Sequence, residues 1–125
     1  MRTQTYDHTI LLAHGSRDPQ WSAPFRNLID KLRHGNPHLS LAFMELCEPS
    51  LEDVILAAHE RGDRSIAILP LFFSAGRHLR EDVPEQLSAI QKDLPVSLTL
   101  LPAIGEQSAF VDFIESLVLE LTASH

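Results

Sequence analysis

The sequence predicts an α/β domain, a four-stranded parallel sheet with helices on both faces, and three observations carry the prediction. Short apolar runs alternate from end to end with segments whose apolar residues recur at helical spacing. The connections between them are short, which implies right-handed crossovers and parallel strands. Two of the runs also end in a histidine among small and charged residues, Thr9–Arg17 and Ser65–His78. The carboxyl ends of parallel strands open onto one crevice, where ligands bind.

Taken in order, Thr9 to Ala13 suits a strand covered on both faces. Asp18-Pro19 supplies an N-cap and a proline at the first helical position. Trp21, Phe25, Leu28, Ile29 and Leu32 then fall on one helical face, and Gly35-Asn36-Pro37 stops the helix. Leu39 to Leu46 reads as the second strand. Pro49-Ser50 opens the next helix, Ser50 and Asp53 have capping-box spacing, Leu51, Val54, Ile55 and Ala58 form the buried stripe, and Gly62 ends it. Ser65 to Phe73 is the third strand, with Pro70 marking a bend or the end of regular pairing. A helix follows over Val83–Asp93, closed by Pro95; Val96 to Leu101 is the fourth strand, ended by Pro102. The last helix carries Phe110, Phe113, Ile114, Leu117, Val118 and Leu121 on one face.

Residues 1–125 form one domain by length, with 44% hydrophobic residues to fill a core. A net charge of −7 argues against a general nucleic-acid binder. No apolar run approaches the roughly 20 residues of a membrane span, and the polar segment Met1–His8 lacks a secretory apolar core, so a cytoplasmic location is expected. The single cysteine, Cys47, follows an apolar run and is expected to be a buried, inert thiol.

His14 and His78, at two strand ends, are candidates for one site as metal ligands or proton acceptors. The plainer readings are a loop hydrogen bond for His14 and a solvated loop position for His78. Gly76 is read as letting the second loop fold back over the crevice. Glu45 interrupts an apolar run, which is costly unless the carboxylate is paired, liganded or at an exposed strand end. It is a candidate third ligand or proton acceptor, or else the partner of a rim arginine. Glu48 reads as part of a helix start. Arg17, Arg77 and Arg80 lie beside the histidines and could grip carboxylates or phosphates. Leu71, Phe72 and Phe73 read as core, or as a wall for a flat ligand. His8, His34, His38, His59 and His125 are assigned to the surface.

Three segments, Leu12–Pro19, Ala42–Ser50 and Leu69–Pro84, stand in an order and spacing that resembles the small, single-domain sirohydrochlorin cobaltochelatases, which insert Co2+ or Fe2+ into a tetrapyrrole. The likeness covers nearly the whole chain and implies a three-layer chelatase-like domain working as a homodimer. It implies that His14 and His78 are the catalytic, metal-binding and proton-accepting pair, with Glu45 assisting. Ser16, Arg17, Ser74, Gly76, Arg77 and Arg80 are the expected substrate contacts. The tetrapyrrole and the divalent ion are then both substrates, with no permanently bound cofactor. The histidine-rich tract and the C-terminal cysteine cluster of some relatives are absent from this sequence. Imidazole and carboxylate donors suit Co2+, Fe2+ and Ni2+ alike. A non-catalytic metal or tetrapyrrole carrier is the alternative reading, and a hydrolase or phosphotransferase using His14 and Arg17 a third.

Overall fold

In a computed structural model, residues 5–122 are described. The elements are β1 (His8–Ala13), α1 (Pro19–Arg33), β2 (Leu39–Phe43), α2 (Leu51–Glu60), β3 (Ser65–Pro70), a π-helical turn (His78–Asp82), α3 (Val83–Asp93), β4 (Ser97–Leu100), a 3-10 turn (Ile104–Glu106) and α4 (Ser108–Leu121). The four strands form one sheet in the order β2-β1-β3-β4, and every pairing is parallel. The predicted alternation is thus the observed one. No helix among the described residues is long and apolar enough to cross a membrane.

The unbroken apolar runs are explained by cover on both sides of the sheet. Along β1, Ile10 and Leu12 join one core with Ile66 and Ile68, against Leu51, Ile55 and Ala58 of α2 and Val83 and Leu87 of α3. Leu11 and Ala13 face the other way with Leu41 and Phe43, against Ile29, Trp21 and Phe25 of α1. The caps follow local chemistry: Asp18 accepts from the Gln20 N–H at 2.9 Å, and Ser50 Oγ from the Asp53 N–H at 3.1 Å.

Five expectations need correction. β2 stops at Phe43, three residues early, because Leu46 adopts a left-handed backbone (φ 69°) and the chain turns back, so that the Phe43 N–H bonds the Pro49 carbonyl. β3 stops at Pro70 rather than Phe73; Pro70, which offers no N–H to the ladder, marks the end of regular pairing as expected. Phe73, beyond that end, is 79% exposed rather than core, and Cys47 is half-buried. The fifth concerns α4: Phe110 meets the Phe73 ring edge-on, but the rest of its apolar stripe is exposed among the described residues. Every residue from Val111 to its end is exposed, with Phe113 at 60% and Leu119 at 72%. Its start, with Leu69 and Leu101, borders an open apolar groove of about 400 Å3.

His8 is the one surface assignment that fails outright. It lies inside β1, only 2% exposed, because its position continues the Ile10–Leu12 face; His34 and His38 are exposed, and His125 lies outside the described residues. Burial pushes the His8 imidazole below its usual value of 6.5, helped by the charges of Arg61, His38 and Arg33 and opposed by Asp63. The unfolded chain therefore takes up this proton at higher pH than the folded chain. The stability involved is complete above about pH 6.5 and is lost as pH falls from there towards the depressed folded value. Denaturant midpoints are expected to fall between pH 7 and pH 5, with a shallower slope in His8→Gln.

Candidate functional site

The candidate site is built at the carboxyl rim, where β1 and β2 end side by side. Pairing continues past both strands: the Met44 N–H donates to the Ala13 carbonyl at 3.0 Å and the Glu45 N–H to the His14 carbonyl at 3.2 Å. This main-chain register carries the side chains of His14 and Glu45 to the same place. Their Nε2 and Oε2 atoms lie 3.4 Å apart, each side chain about half exposed (51% and 53%). The Phe72 ring, from the end of β3, stands 6.0 Å from the imidazole centroid, tilted by 52°. The result is an imidazole–carboxylate pair open to solvent on one side and backed by an aromatic wall.

Gly15 makes this approach possible. Its φ of +113° is closed to most side chains, and a Cβ there would overlap the Glu45 carbonyl oxygen. Leu46 completes the turn with its positive φ, so Glu45 is held from both neighbours in space. Gly105 plays the same part on the other flank. A Cβ on it would collide with the Phe73 backbone, and its N–H donates to the Phe72 carbonyl at 2.9 Å. No local pattern in the sequence marks Gly105, because the segment it supports is distant in the chain.

The remaining expected contacts divide. Arg17 and Arg80 are exposed on the surface, and Ser74 is exposed in the loop after β3. Ser16 Oγ accepts from the Asp18 N–H at 3.0 Å, so its oxygen helps start α1. Arg77 pairs with Glu81 at 3.5 Å, one helical turn on. Gly76 needs no glycine-only conformation, and a Cβ there would meet open space, so its expected special role is not supported. The loop instead climbs into the π-helical turn that begins at His78, a device frequent at functional sites. The His78 side chain lies outside what is described. Among the described residues no group of three or more His, Cys, Asp or Glu side chains assembles; His14 and Glu45 are a pair.

A family model described as CbiX matches residues 8–121. The chain belongs to the CbiX family. A sirohydrochlorin cobaltochelatase of Sulfolobus acidocaldarius is 28% identical over 106 residues, 85% of each chain. The chloroplastic sirohydrochlorin ferrochelatase of Arabidopsis thaliana is 26% identical over 111 residues, 86% of this chain but 49% of that one. Among solved structures, a putative cobalamin biosynthesis CbiX protein from Marinobacter aquaeolei superposes with a TM-score of 0.80 at 35% identity, covering 90% of this chain and 94% of its own. The sirohydrochlorin chelatase SirB from Bacillus subtilis, in complex with cobalt, superposes at 0.75 and 21% identity, with this chain spanning 51% of its length. That last likeness concerns the fold: one CbiX chain of this size matches about half of a longer chelatase.

Proposed function

We propose that this CbiX chain is a sirohydrochlorin metal chelatase, and that the rim holding His14 and Glu45 is where a divalent ion enters the macrocycle. The observation that carries the reading is the 3.4 Å imidazole–carboxylate pair at the end of two neighbouring strands of a CbiX domain. Metal insertion removes two pyrrole N–H protons while the ion exchanges water for four nitrogens. It calls for a labile ligand on one face of the ring and a nearby base. The imidazole of His14 supplies the exchangeable ligand, Glu45 accepts a proton beside it, and His78, on the neighbouring loop, is the second imidazole. Co2+ is the favoured substrate ion and Fe2+ the second; neither is a resident cofactor, and the protein works in the cytoplasm without one. Arg17 and Arg80, exposed on the surface, receive substrate carboxylates and offset a net charge of −7 that opposes an anionic ligand.

The working unit in this reading is a homodimer. Isolated helices as short as α4 are marginal in water, and α4 exposes Val111, Phe113, Leu117, Val118 and Leu119. A contiguous apolar surface of this kind marks a contact face. A second copy covering it would give two such domains the size of the longer chelatases. Sedimentation equilibrium is expected to give twice the 14.0 kDa chain mass, and Phe113→Glu with Leu117→Glu is expected to return a monomer.

Turnover separates the enzyme from a carrier. With sirohydrochlorin and Co2+ in tenfold excess over protein, an enzyme converts the whole pool, followed by the macrocycle absorption. Product that stops at one equivalent per chain would favour the carrier.

A further inference from the structure

A second arrangement of chemical groups lies at the opposite end of the same sheet, and the chelatase reading does not use it. His8, buried in β1, sits with its Nε2 2.8 Å from Ser40 Oγ on the neighbouring edge strand β2. On its other side the Nδ1 atom faces Asp63 Oδ2 at 3.6 Å, with no hydrogen-bond partner among the described residues. A carboxylate on that side favours the tautomer with the proton on Nδ1. Nε2 is then left as the acceptor, and the Ser40 hydroxyl donates to it. Hydroxyl, imidazole and carboxylate therefore stand in the sequence that activates a serine.

The surroundings supply the other parts. Ser40 lines a cavity of about 390 Å3 together with Leu41, Arg26, Asp30 and Arg33. The Thr9 N–H bonds the His38 carbonyl and the Met44 N–H bonds the Ala13 carbonyl, so the even-numbered residues of β2 turn their polar groups to β1. Leu41 points its own N–H to the open edge, next to Ser40, where it can donate to a developing oxyanion. The imidazole also stays neutral at neutral pH. Burial is the main reason, reinforced by Arg61, His38 and Arg33 against Asp63.

We propose that Ser40, His8 and Asp63 form an acyl-transfer site, distinct from the His14–Glu45 rim, which takes small carboxylic esters bearing an anionic group. The Ser40 Oγ proton passes to His8 Nε2 as Oγ bonds the ester carbonyl carbon; the ester C–O bond breaks, and the alcohol leaves with the proton from His8. Water, deprotonated by His8 in turn, releases the acid and restores Ser40. Arg33 and Arg26, both lining the cavity, attract the anionic group; Arg26 is partly committed to the Glu48 carbonyl at 3.0 Å. Asp63 acts as a positioning residue.

The test uses the full chain and a fluorophosphonate probe, with the adduct located by peptide mass mapping. The expected result is one adduct on Ser40 at pH 7.5, none in Ser40→Ala, and labelling at least about tenfold slower in Asp63→Asn. The wild-type rate should fall at lower pH as His8 takes a proton. Histidine 15N shifts of the unlabelled protein, which need no variant to fold, should show the proton of His8 on Nδ1. Absence of a Ser40 adduct, equal labelling of wild type and Asp63→Asn, or a His8 proton on Nε2 would each overturn the proposal.

Discussion

Replacing His14 by alanine is expected to lower the rate of cobalt insertion by on the order of 10²–10⁴-fold, the range that a lost acid–base group commonly costs. The effect should fall on turnover. The His14 side chain is half exposed and belongs to neither core, so its removal leaves no cavity behind. Thermal unfolding should therefore shift little, and the initial absorbance change of the macrocycle at saturating substrate should carry the loss. Glu45→Gln keeps the shape of the partner but removes its proton-accepting carboxylate, and should lower the same rate by a smaller factor. A His14→Ala protein that inserts metal at the wild-type rate would remove this residue from the mechanism.

The second large effect is expected from Gly15→Ala, a change of one methyl group. At φ +113° an alanine costs about 1–3 kcal/mol of backbone strain, and its Cβ would overlap the Glu45 carbonyl oxygen. The Glu45 N–H bond to the His14 carbonyl must then lengthen, and the 3.4 Å pair opens. Both readouts are expected to move: a lower denaturant midpoint, and an insertion rate reduced at least about tenfold under conditions where the variant is folded. A variant with reduced stability but a wild-type rate would show that the close approach serves folding alone. Gly76→Ala, where added volume meets open space, should leave the fold unperturbed.

What could be read from the chain, and what could not, divides along physical lines. β1 was legible because Ile10, Leu11, Leu12 and Ala13 leave no polar side for water, which only a strand covered on both faces tolerates. Helix starts at Asp18 and Ser50 were legible because capping is settled within three residues. His14 and Glu45 could be placed on one rim from topology alone, since parallel strands deliver their ends together. Their contact through Gly15 could not, because it depends on which two strands are neighbours. His8 misled for the same reason: a histidine at a strand start reads as exposed until Ser40 and Asp63 are brought around it. The stripe on α4 says that a face wants cover and is silent on what covers it. Phe73 followed the apolar run of β3 into the rim, yet the strand ends at Pro70 and the ring stands exposed, edge-on to Phe110 at 5.7 Å.

Metal insertion at the His14–Glu45 rim is the proposal on which the other expectations depend. Its most direct test is a set of initial rates, measured by macrocycle absorption with sirohydrochlorin and Co2+, for no protein, wild type, His14→Ala, and Asp93→Asn at the far end of α3. A wild-type rate well above the spontaneous one, an unchanged rate for Asp93→Asn, and a fall to near the protein-free rate for His14→Ala are expected. A wild-type rate equal to the spontaneous one, or equal rates for wild type and His14→Ala, would contradict the proposal.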